Sequence, residues 1–182
     1  MNKISAYLIL VFTILTLTSC CQLQPPCQLR SLLLDSTFFP EGTTAGEVIS
    51  PMYEEPSNSA AATFYYTEKV MILNYVIDYS SRYRAKNEYG DYLDVAFSED
   101  KYLGPWVTSN SNYNSSTARQ FNLACGQAGG TQVCRYLALY GSYVVYLQVD
   151  NVTHEGFSEA DFLLLVNAID DKFETCFSSN SK

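Results

Sequence analysis

The cysteines offer the most specific chemistry in this sequence, and six of them occur in 182 residues. Cys125 and Cys134 flank a short loop that contains Gly126, Gly129 and Gly130. Glycine tolerates the backbone conformations of tight turns, so two cysteines at the ends of such a loop can approach each other closely. We therefore predict a Cys125–Cys134 disulfide if the protein folds in an oxidising compartment.

The first 20 residues indicate such a compartment. Lys3 is followed by an uncharged apolar run over residues 4–17. This run has the length of the apolar region of a signal peptide, and it is too short to cross a hydrocarbon layer of about 30 Å. It ends in Leu17-Thr18-Ser19-Cys20, which resembles the lipobox of bacterial lipoproteins. The resemblance implies cleavage before Cys20, acyl chains such as palmitate on its thiol, and a protein anchored to the cell membrane outside the cytoplasm.

The remaining cysteines depend on this assignment. An ordinary secretory signal cut near the same place is the alternative, and Cys20 would then be an unmodified thiol. If Cys20 carries the lipid, five cysteines remain, so one is unpaired or bonded to another chain. We predict that Cys27 pairs with Cys176, which ties the last helix to the start of the domain, and Cys21 is the alternative partner of Cys176.

Tyrosine is abundant, with 15 residues in the chain. Tyr136, Tyr140 and Tyr143 fall on one face of a predicted hairpin. Exposed rings of this kind can stack on sugars or hold a peptide, and their hydroxyls add directional hydrogen bonds. We take these three residues as a candidate ligand surface. The alternative is that the rings fill a half-buried sheet, and a helix that covers them would remove the surface.

Other residue patterns argue against catalysis and cofactors. His154 is the only histidine and lies in a polar turn, and the chain has no C-x-x-C motif, so the usual zinc and haem arrangements are not predicted. No calcium-loop pattern is present, and the glycine-rich loop lacks the lysine of a phosphate-binding loop. We predict no catalytic residue, no metal and no cofactor. Any two of the 19 acidic residues could still meet in space, so a carboxylate-based hydrolase stays an alternative.

The charge balance limits the kinds of partner. The chain has 11 basic and 19 acidic residues, and removal of residues 1–19 takes away only Lys3, so the net charge changes from −8 to −9. An acidic chain without basic clusters repels phosphate backbones and anionic lipid headgroups. We therefore expect no nucleic-acid partner, and we expect membrane attachment through the acyl chains alone.

Alternating and turn-forming residues predict a β-sheet. Residues 62–67 and 70–79 are predicted strands joined by a tight turn, and residues 119–125 form another strand. Gly141-Ser142 lies between two apolar runs in residues 134–149 and predicts a hairpin with a type II′ turn. That turn places Tyr140 opposite Tyr143 and Leu137 opposite Tyr146.

Two longer helices are predicted. Ser80 can cap a helix over the following residues to about Phe97, although Gly90 weakens it. Ser158 and Asp161 form a variant capping box at the start of the last helix, and Phe157 packs against Phe162 as a hydrophobic staple. The buried stripe of this helix consists of Phe162, Leu165, Val166, Ile169, Phe173 and Cys176.

Together these elements predict an α+β fold: an antiparallel sheet of about five strands with helices packed on one face, including the C-terminal amphipathic helix. We divide the chain into a signal peptide (1–19), a tether (20–26) and one globular domain (27–182). The order of several short segments also looks like small bacterial lipoproteins of an uncharacterised type, and this resemblance implies no activity. These segments are Leu32-Leu33-Leu34-Asp35, Phe39-Pro40-Glu41-Gly42, Tyr140-Gly141-Ser142-Tyr143 and Ala168-Ile169-Asp170.

The expected function is that of an exported, membrane-anchored binding or sensing module without catalytic activity. Its ligand could be a small molecule or another envelope protein. The alternatives are the carboxylate-based hydrolase and a structural envelope protein that assembles with a partner.

Overall fold

The computed structural model describes residues 27–46, 58–67, 69–100, 102–108, 113–153 and 156–179. The predicted leader, the lipidation site at Cys20, the tether over 20–26 and the only histidine, His154, lie outside the described residues.

The described residues form one antiparallel sheet and three α-helices. The strands are β1 (Thr44–Ala45), β2 (Ser59–Tyr66), β3 (Val70–Asp78), β4 (Val107–Thr108), β5 (Gln120–Ala128), β6 (Thr131–Tyr140) and β7 (Tyr143–Asp150). The helices are α1 (Leu29–Leu32), α2 (Arg82–Ala96) and α3 (Glu159–Ser179), with a 3-10 turn at Ser36–Phe38. The sheet order is β1-β2-β3-β7-β6-β5-β4, with every neighbouring pair antiparallel. The predicted α+β class is confirmed, and the sheet has seven strands rather than five because two-residue edge strands leave no alternating pattern to detect.

The central hairpin has the predicted register. Tyr140 lies opposite Tyr143, and Leu137 lies opposite Tyr146. Gly141 adopts a φ of +61°, as the first central position of a type II′ turn requires, and glycine allows this conformation at no steric cost.

The last helix begins as the sequence predicts. The Ser158 hydroxyl accepts a hydrogen bond from the Asp161 amide at 3.2 Å, while the Ser158 amide donates to the Asp161 carboxylate at 2.8 Å. These reciprocal bonds satisfy backbone donors that the first helical turn leaves open. Phe157 and Phe162 are both 1 % exposed at this corner, and the apolar stripe predicted for α3 is buried up to Phe173.

The two faces of the sheet are covered by different helices. The α3 face is packed by α3 and α1 over even-numbered β3 side chains such as Ile72 and Val76. The α2 face is packed by α2 over odd-numbered β3 side chains such as Tyr75 and Ile77. The prediction that all helices pack on one face is therefore wrong. Helices cover both faces because the central strands are apolar on both sides, and each side must be shielded from water.

The helix α2 starts one residue later than predicted. Ser81 is its N-cap, and the Ser81 hydroxyl accepts from the Arg84 amide at 3.4 Å. Ser80 instead has a φ of +54° and forms the turn that leads from β3 into the helix.

Two disulfides cross-link the domain, with the pairings that the sequence predicts. Cys125 and Cys134 are direct partners in the β5–β6 register, with their Cα atoms 4.0 Å apart. Cys27 and Cys176 are 149 residues apart in sequence, and their bond joins the first described residue to α3.

Candidate functional site

The three tyrosines of the predicted ligand surface are buried. Tyr136 and Tyr140 are 0 % exposed and Tyr143 is 4 % exposed. The Phe173 ring of α3 stacks on Tyr140 with ring centroids 4.0 Å apart and an interplanar angle of 8°. The expectation of an exposed aromatic surface at these positions is therefore wrong, because α3 packs directly against them.

Two of these tyrosines belong to a partly buried hydrogen-bond network, here called the tyrosine–aspartate cluster: Tyr113, Ser115, Tyr136, Tyr140 and Asp170. The Tyr136 hydroxyl lies 3.0 Å from the Tyr113 hydroxyl and 2.7 Å from the Tyr140 hydroxyl. The Asp170 carboxylate accepts hydrogen bonds from Tyr113 at 2.5 Å, from Ser115 at 2.8 Å and from Tyr140. Each hydroxyl of the cluster thus has a partner within it.

Burial controls the protonation of this cluster. Desolvation raises the pKa of Tyr136 and of Tyr140 far above that of a free phenol, and the Asp170 carboxylate raises the pKa of Tyr140 further. The same two causes raise the pKa of Tyr113. The phenols therefore stay neutral and donate hydrogen bonds at physiological pH. Chemically, the cluster fixes residues 113–115 to α3 through hydrogen bonds among its own members.

A second polar network lies on the α2 face, here called the arginine ladder: Arg135, Tyr146, Gln148 and Asp150. The Gln148 side-chain oxygen accepts from Arg135 at 2.9 Å and from Tyr146 at 2.5 Å, and its amide donates to Asp150 at 2.8 Å. Burial raises the pKa of Asp150, while the Gln148 bond and the Arg135 charge oppose that rise.

Trp106 packs against this second network. The Arg135 guanidinium lies over the Trp106 ring, 4.6 Å from its centroid, which is a favourable cation–π geometry. Arg135 also donates to the backbone oxygen of Ala96 at the end of α2. The Trp106 indole donates to the Ser98 oxygen at 2.8 Å, so the ladder holds the α2 C-terminus against the sheet.

A groove of about 670 Å³ lies between the N-terminal segment and the second half of α3, and we call it the terminal groove. Its lining consists of Cys27, Gln28, Ser31, Phe38, Ala168, Asp171, Lys172, Thr175, Cys176 and Ser179. Lys172 spans one wall: its ammonium lies 3.6 Å from the Asp35 carboxylate and 5.0 Å from the centre of the Phe38 ring. The groove therefore combines hydroxyls, an amide, a cation and an aromatic ring in one concave surface.

A second concavity of about 330 Å³ lies at the β4–β5–β6 edge, and we call it the edge pocket. Cys125, Gln132 and Glu159 are among its lining residues, and the Gln132 amide donates to the Glu159 carboxylate at 2.9 Å. The sulfur atoms of Cys125 and Cys134 and a carboxylate oxygen of Glu159 all lie within 4.8 Å of one another. A Cβ atom at Gly126 would come within 2.9 Å of the Pro105 oxygen, so glycine is needed where the 105–106 segment crosses β5.

Several residues of these sites escaped sequence reasoning. Asp170 reads as part of a solvated acidic run, yet it follows Val166 by four residues and precedes Phe173 by three, which places it on the buried side of α3. That helical spacing is the signal that could have identified it. Lys172 and Glu159 carry no comparable signal, because their partners are distant in sequence.

No described helix is long and apolar enough to cross a membrane. Comparison with known proteins found no matching family model, no matching curated protein and no matching solved structure. The inference of function therefore rests on the sequence and on the chemistry of the sites.

Proposed function

We propose that this chain is an exported lipoprotein, anchored through Cys20, whose domain binds a small hydroxyl-bearing ligand of the cell envelope in the terminal groove without chemical conversion. The observation that carries the proposal is the Cys27–Cys176 disulfide. It bears on the compartment, on the position of the anchor and on the rigidity of the groove.

The disulfide supports an oxidising compartment. Bonds between cysteines persist in secreted and envelope proteins and are rare where cytosolic thiols keep them reduced. Cross-linking residues 149 apart removes about 5 kcal/mol of chain entropy from the unfolded state in the loop-closure model. An exported domain, which works without cytosolic chaperones, gains most from such a bond.

The same bond relates the groove to the anchor. Cys27 directly follows the tether predicted over residues 20–26, and it also lines the terminal groove. A ligand in this groove would lie near the point where the domain joins its tether. The site would accordingly sample molecules at or close to the membrane surface.

The groove lining favours a hydroxyl-rich ligand such as an envelope glycan fragment. Thr175 supplies a hydroxyl that can donate and accept hydrogen bonds, while the Ser31 and Ser179 hydroxyls donate to backbone oxygens and can accept from a ligand. Phe38 is 39 % exposed, so part of its ring is free to contact the apolar face of a sugar. Rigid concave surfaces with a few convergent polar groups are typical of small-molecule sites.

The groove chemistry favours binding over hydrolysis. Glycoside hydrolysis with two carboxylates requires a pair of acids about 5–9.5 Å apart across the bond to be cleaved. Among the described residues that line the terminal groove, Asp171 has the one carboxylate, and the neighbouring Asp35 carboxylate faces Lys172. The arrangement thus supports recognition of a glycan rather than its cleavage.

The anchor is tested by metabolic labelling with a fatty-acid analogue. We expect the wild-type chain to be labelled and membrane-bound, and the Cys20→Ala variant to be unlabelled and released. Cys21→Ala is the matched control, because it removes the neighbouring thiol and should keep the label. Membrane association that survives Cys20→Ala would refute the lipid anchor.

The groove is tested by titrating soluble envelope glycan fragments into the full-length chain in detergent, with nuclear magnetic resonance shifts as the readout. Thr175→Trp should fill the groove and weaken binding by at least about tenfold, which corresponds to about 1.4 kcal/mol. Glu174→Trp, at an adjacent exposed position outside the groove lining, should bind normally. Equal binding by both variants, or shifts that map elsewhere, would refute the groove as the site.

A further inference from the structure

The edge pocket contains a second potential site with different chemistry. Cys125 and Cys134 face each other on neighbouring strands with their Cα atoms 4.0 Å apart, and both side chains point to the α3 face of the sheet. Side chains of such directly opposed residues approach closely in antiparallel pairs that lack mutual hydrogen bonds. If the S–S bond were broken, the backbone ladder of β5 and β6 would still hold the two sulfur atoms side by side.

Glu159 supplies a third donor atom. It is the first residue of α3, and its carboxylate oxygen lies with the two sulfur atoms in a group that spans no more than 4.8 Å. Sulfur atoms bound tetrahedrally to one zinc ion, with Zn–S bonds of about 2.3 Å, lie roughly 3.8 Å apart. The three donors therefore need only small side-chain rotations to reach a common ion.

The surroundings fit a bound cation. Two thiolates and one carboxylate are a donor set that zinc and similar thiophilic divalent ions accept. The Gln132 amide donates to Glu159 at 2.9 Å and orients the carboxylate from outside, as outer hydrogen bonds commonly do at metal sites. The pocket of about 330 Å³ in front of Cys125 and Glu159 leaves room for water as a fourth ligand.

We propose that reduction of the Cys125–Cys134 disulfide converts the edge pocket into a binding site for a thiophilic divalent cation, with Cys125, Cys134 and Glu159 as ligands. A dithiol reductant breaks the S–S bond, leaves one thiol on each cysteine and is itself oxidised to a disulfide. Binding of the cation then forms two metal–sulfur bonds and releases the two thiol protons to solvent. The disulfide is thus the closed form of the site, and the reduced pair is its metal-binding form.

The other disulfide provides an internal contrast. Cys27 and Cys176 also yield two thiols on reduction, but among the described residues they do not lie in a group of three side chains close enough to share a metal ion. Zinc uptake should therefore depend on one cysteine pair and not on the other. This contrast also separates the proposal from the glycan site, which lies beside Cys27 and Cys176.

The experiment uses the full-length chain in detergent, reduced with a dithiol that is then removed under argon. Zinc chloride is titrated against a chelating dye, and cobalt serves as a spectroscopic probe for thiolate coordination. We expect the reduced protein to bind one zinc ion that the oxidised protein does not bind. Glu159→Gln, which keeps every thiol, should weaken zinc binding by at least about tenfold.

Control variants determine where the zinc binds. Glu174→Gln removes another exposed carboxylate of α3 and should bind zinc like the wild type. Combined Cys125→Ser and Cys134→Ser changes should abolish uptake, whereas Cys27→Ser with Cys176→Ser should preserve it. Wild-type affinity in Glu159→Gln, or loss of uptake that follows Cys27 and Cys176, would overturn the proposal even if the double serine variants fold poorly.

Discussion

The two faces of the sheet are covered by different means, and the α3 face has the larger buried cluster. The α3 face is covered by a 21-residue helix that buries six side chains, and the Cys27–Cys176 disulfide joins this helix to the N-terminal segment. The α2 face is covered by a 15-residue helix that buries Ala85, Tyr89 and Ala96. The α3 layer is therefore held by apolar area and a covalent bond, and the α2 layer depends more on the polar contacts of the arginine ladder. We infer that α2 opens at a lower free energy than α3.

The largest difference between the faces is expected from truncation of a buried ring. Phe173 is 0 % exposed and stacks on Tyr140, so Phe173→Ala should lower the free energy of unfolding by about 3–5 kcal/mol. Tyr89→Ala on the α2 face should lower the free energy of unfolding by clearly less. Tyr89 is 7 % exposed and belongs to the shorter helix, which buries fewer side chains. Urea unfolding measures both values, and Tyr83→Ala, at a residue 76 % exposed, is the control with an expected change within about 0.5 kcal/mol. Equal losses in free energy of unfolding for Phe173→Ala and Tyr89→Ala would contradict the proposed difference between the two faces.

Replacement of the partly buried Asp170 by asparagine should destabilise the α3 face. Asp170 accepts hydrogen bonds from three hydroxyls, and an amide at this position would direct N–H groups towards donors. Asp170→Asn should therefore lower the free energy of unfolding by about 2–3 kcal/mol, measured by thermal and urea denaturation. Asp171→Asn, at the next and exposed residue, should leave stability unchanged. An unchanged free energy of unfolding in Asp170→Asn would show that the cluster does not fix α3.

Alkaline titration distinguishes the buried tyrosines. Their pKa values in the folded protein are raised, and burial raises the pKa of Tyr89 to about 12. The stability that this provides is complete below the unfolded pKa of about 10, and it is lost as the pH rises further because only unfolded chains release the protons. Each such tyrosine should steepen the loss by about 1.4 kcal/mol per pH unit.

Tyr136→Phe should make the alkaline loss of stability shallower by about 1.4 kcal/mol per pH unit. Tyr89→Phe should have the same effect only up to about pH 12. The measurement combines urea unfolding above pH 10 with the difference in tyrosinate absorbance between the wild type and each variant, and this difference should appear together with unfolding. If the absorbance difference between the wild type and Tyr136→Phe developed while the protein was still folded, it would contradict the burial of Tyr136.

The smallest effect is expected at Asp150 on the α2 face. Burial raises its folded pKa, so its ionisation near neutral pH disfavours the folded state, and this penalty disappears as the pH falls below the unfolded pKa. Asp150→Asn should therefore raise stability at pH 7 by less than about 1 kcal/mol, and the gain should vanish near pH 3. Thermal melts at the two pH values test this, and destabilisation at pH 7 as large as that of Asp170→Asn would show that the two networks are equivalent.

Local signals explain which parts of the fold could be predicted. The α3 start depends on Ser158 and Asp161, three residues apart, and the hairpin depends on the adjacent pair Gly141 and Ser142. Such elements are encoded within a few residues. The strand order and the burial of the tyrosines depend on contacts between distant segments, and no short pattern contains them.

The sites illustrate the same limit. Tyr113 meets Asp170 across 57 residues, and Gln132 meets Glu159 across 27, so neither pair could be inferred from spacing. The Cys27–Cys176 bond was predictable because few cysteines were available, not because of geometry. The placement of α2 was missed although Tyr75 and Ile77 already made the second face of β3 apolar.

Within the described part of the chain, the outermost strands β1 and β4 have two residues each, and all four residues are exposed. A long unpaired strand would present a row of free amides and carbonyls to which another chain could add. Lipid anchoring confines molecules to two dimensions and raises their local concentration, which would make such addition more frequent. With the proposed lipid anchor, such short edge strands would let many copies crowd one leaflet without joining into fibrils.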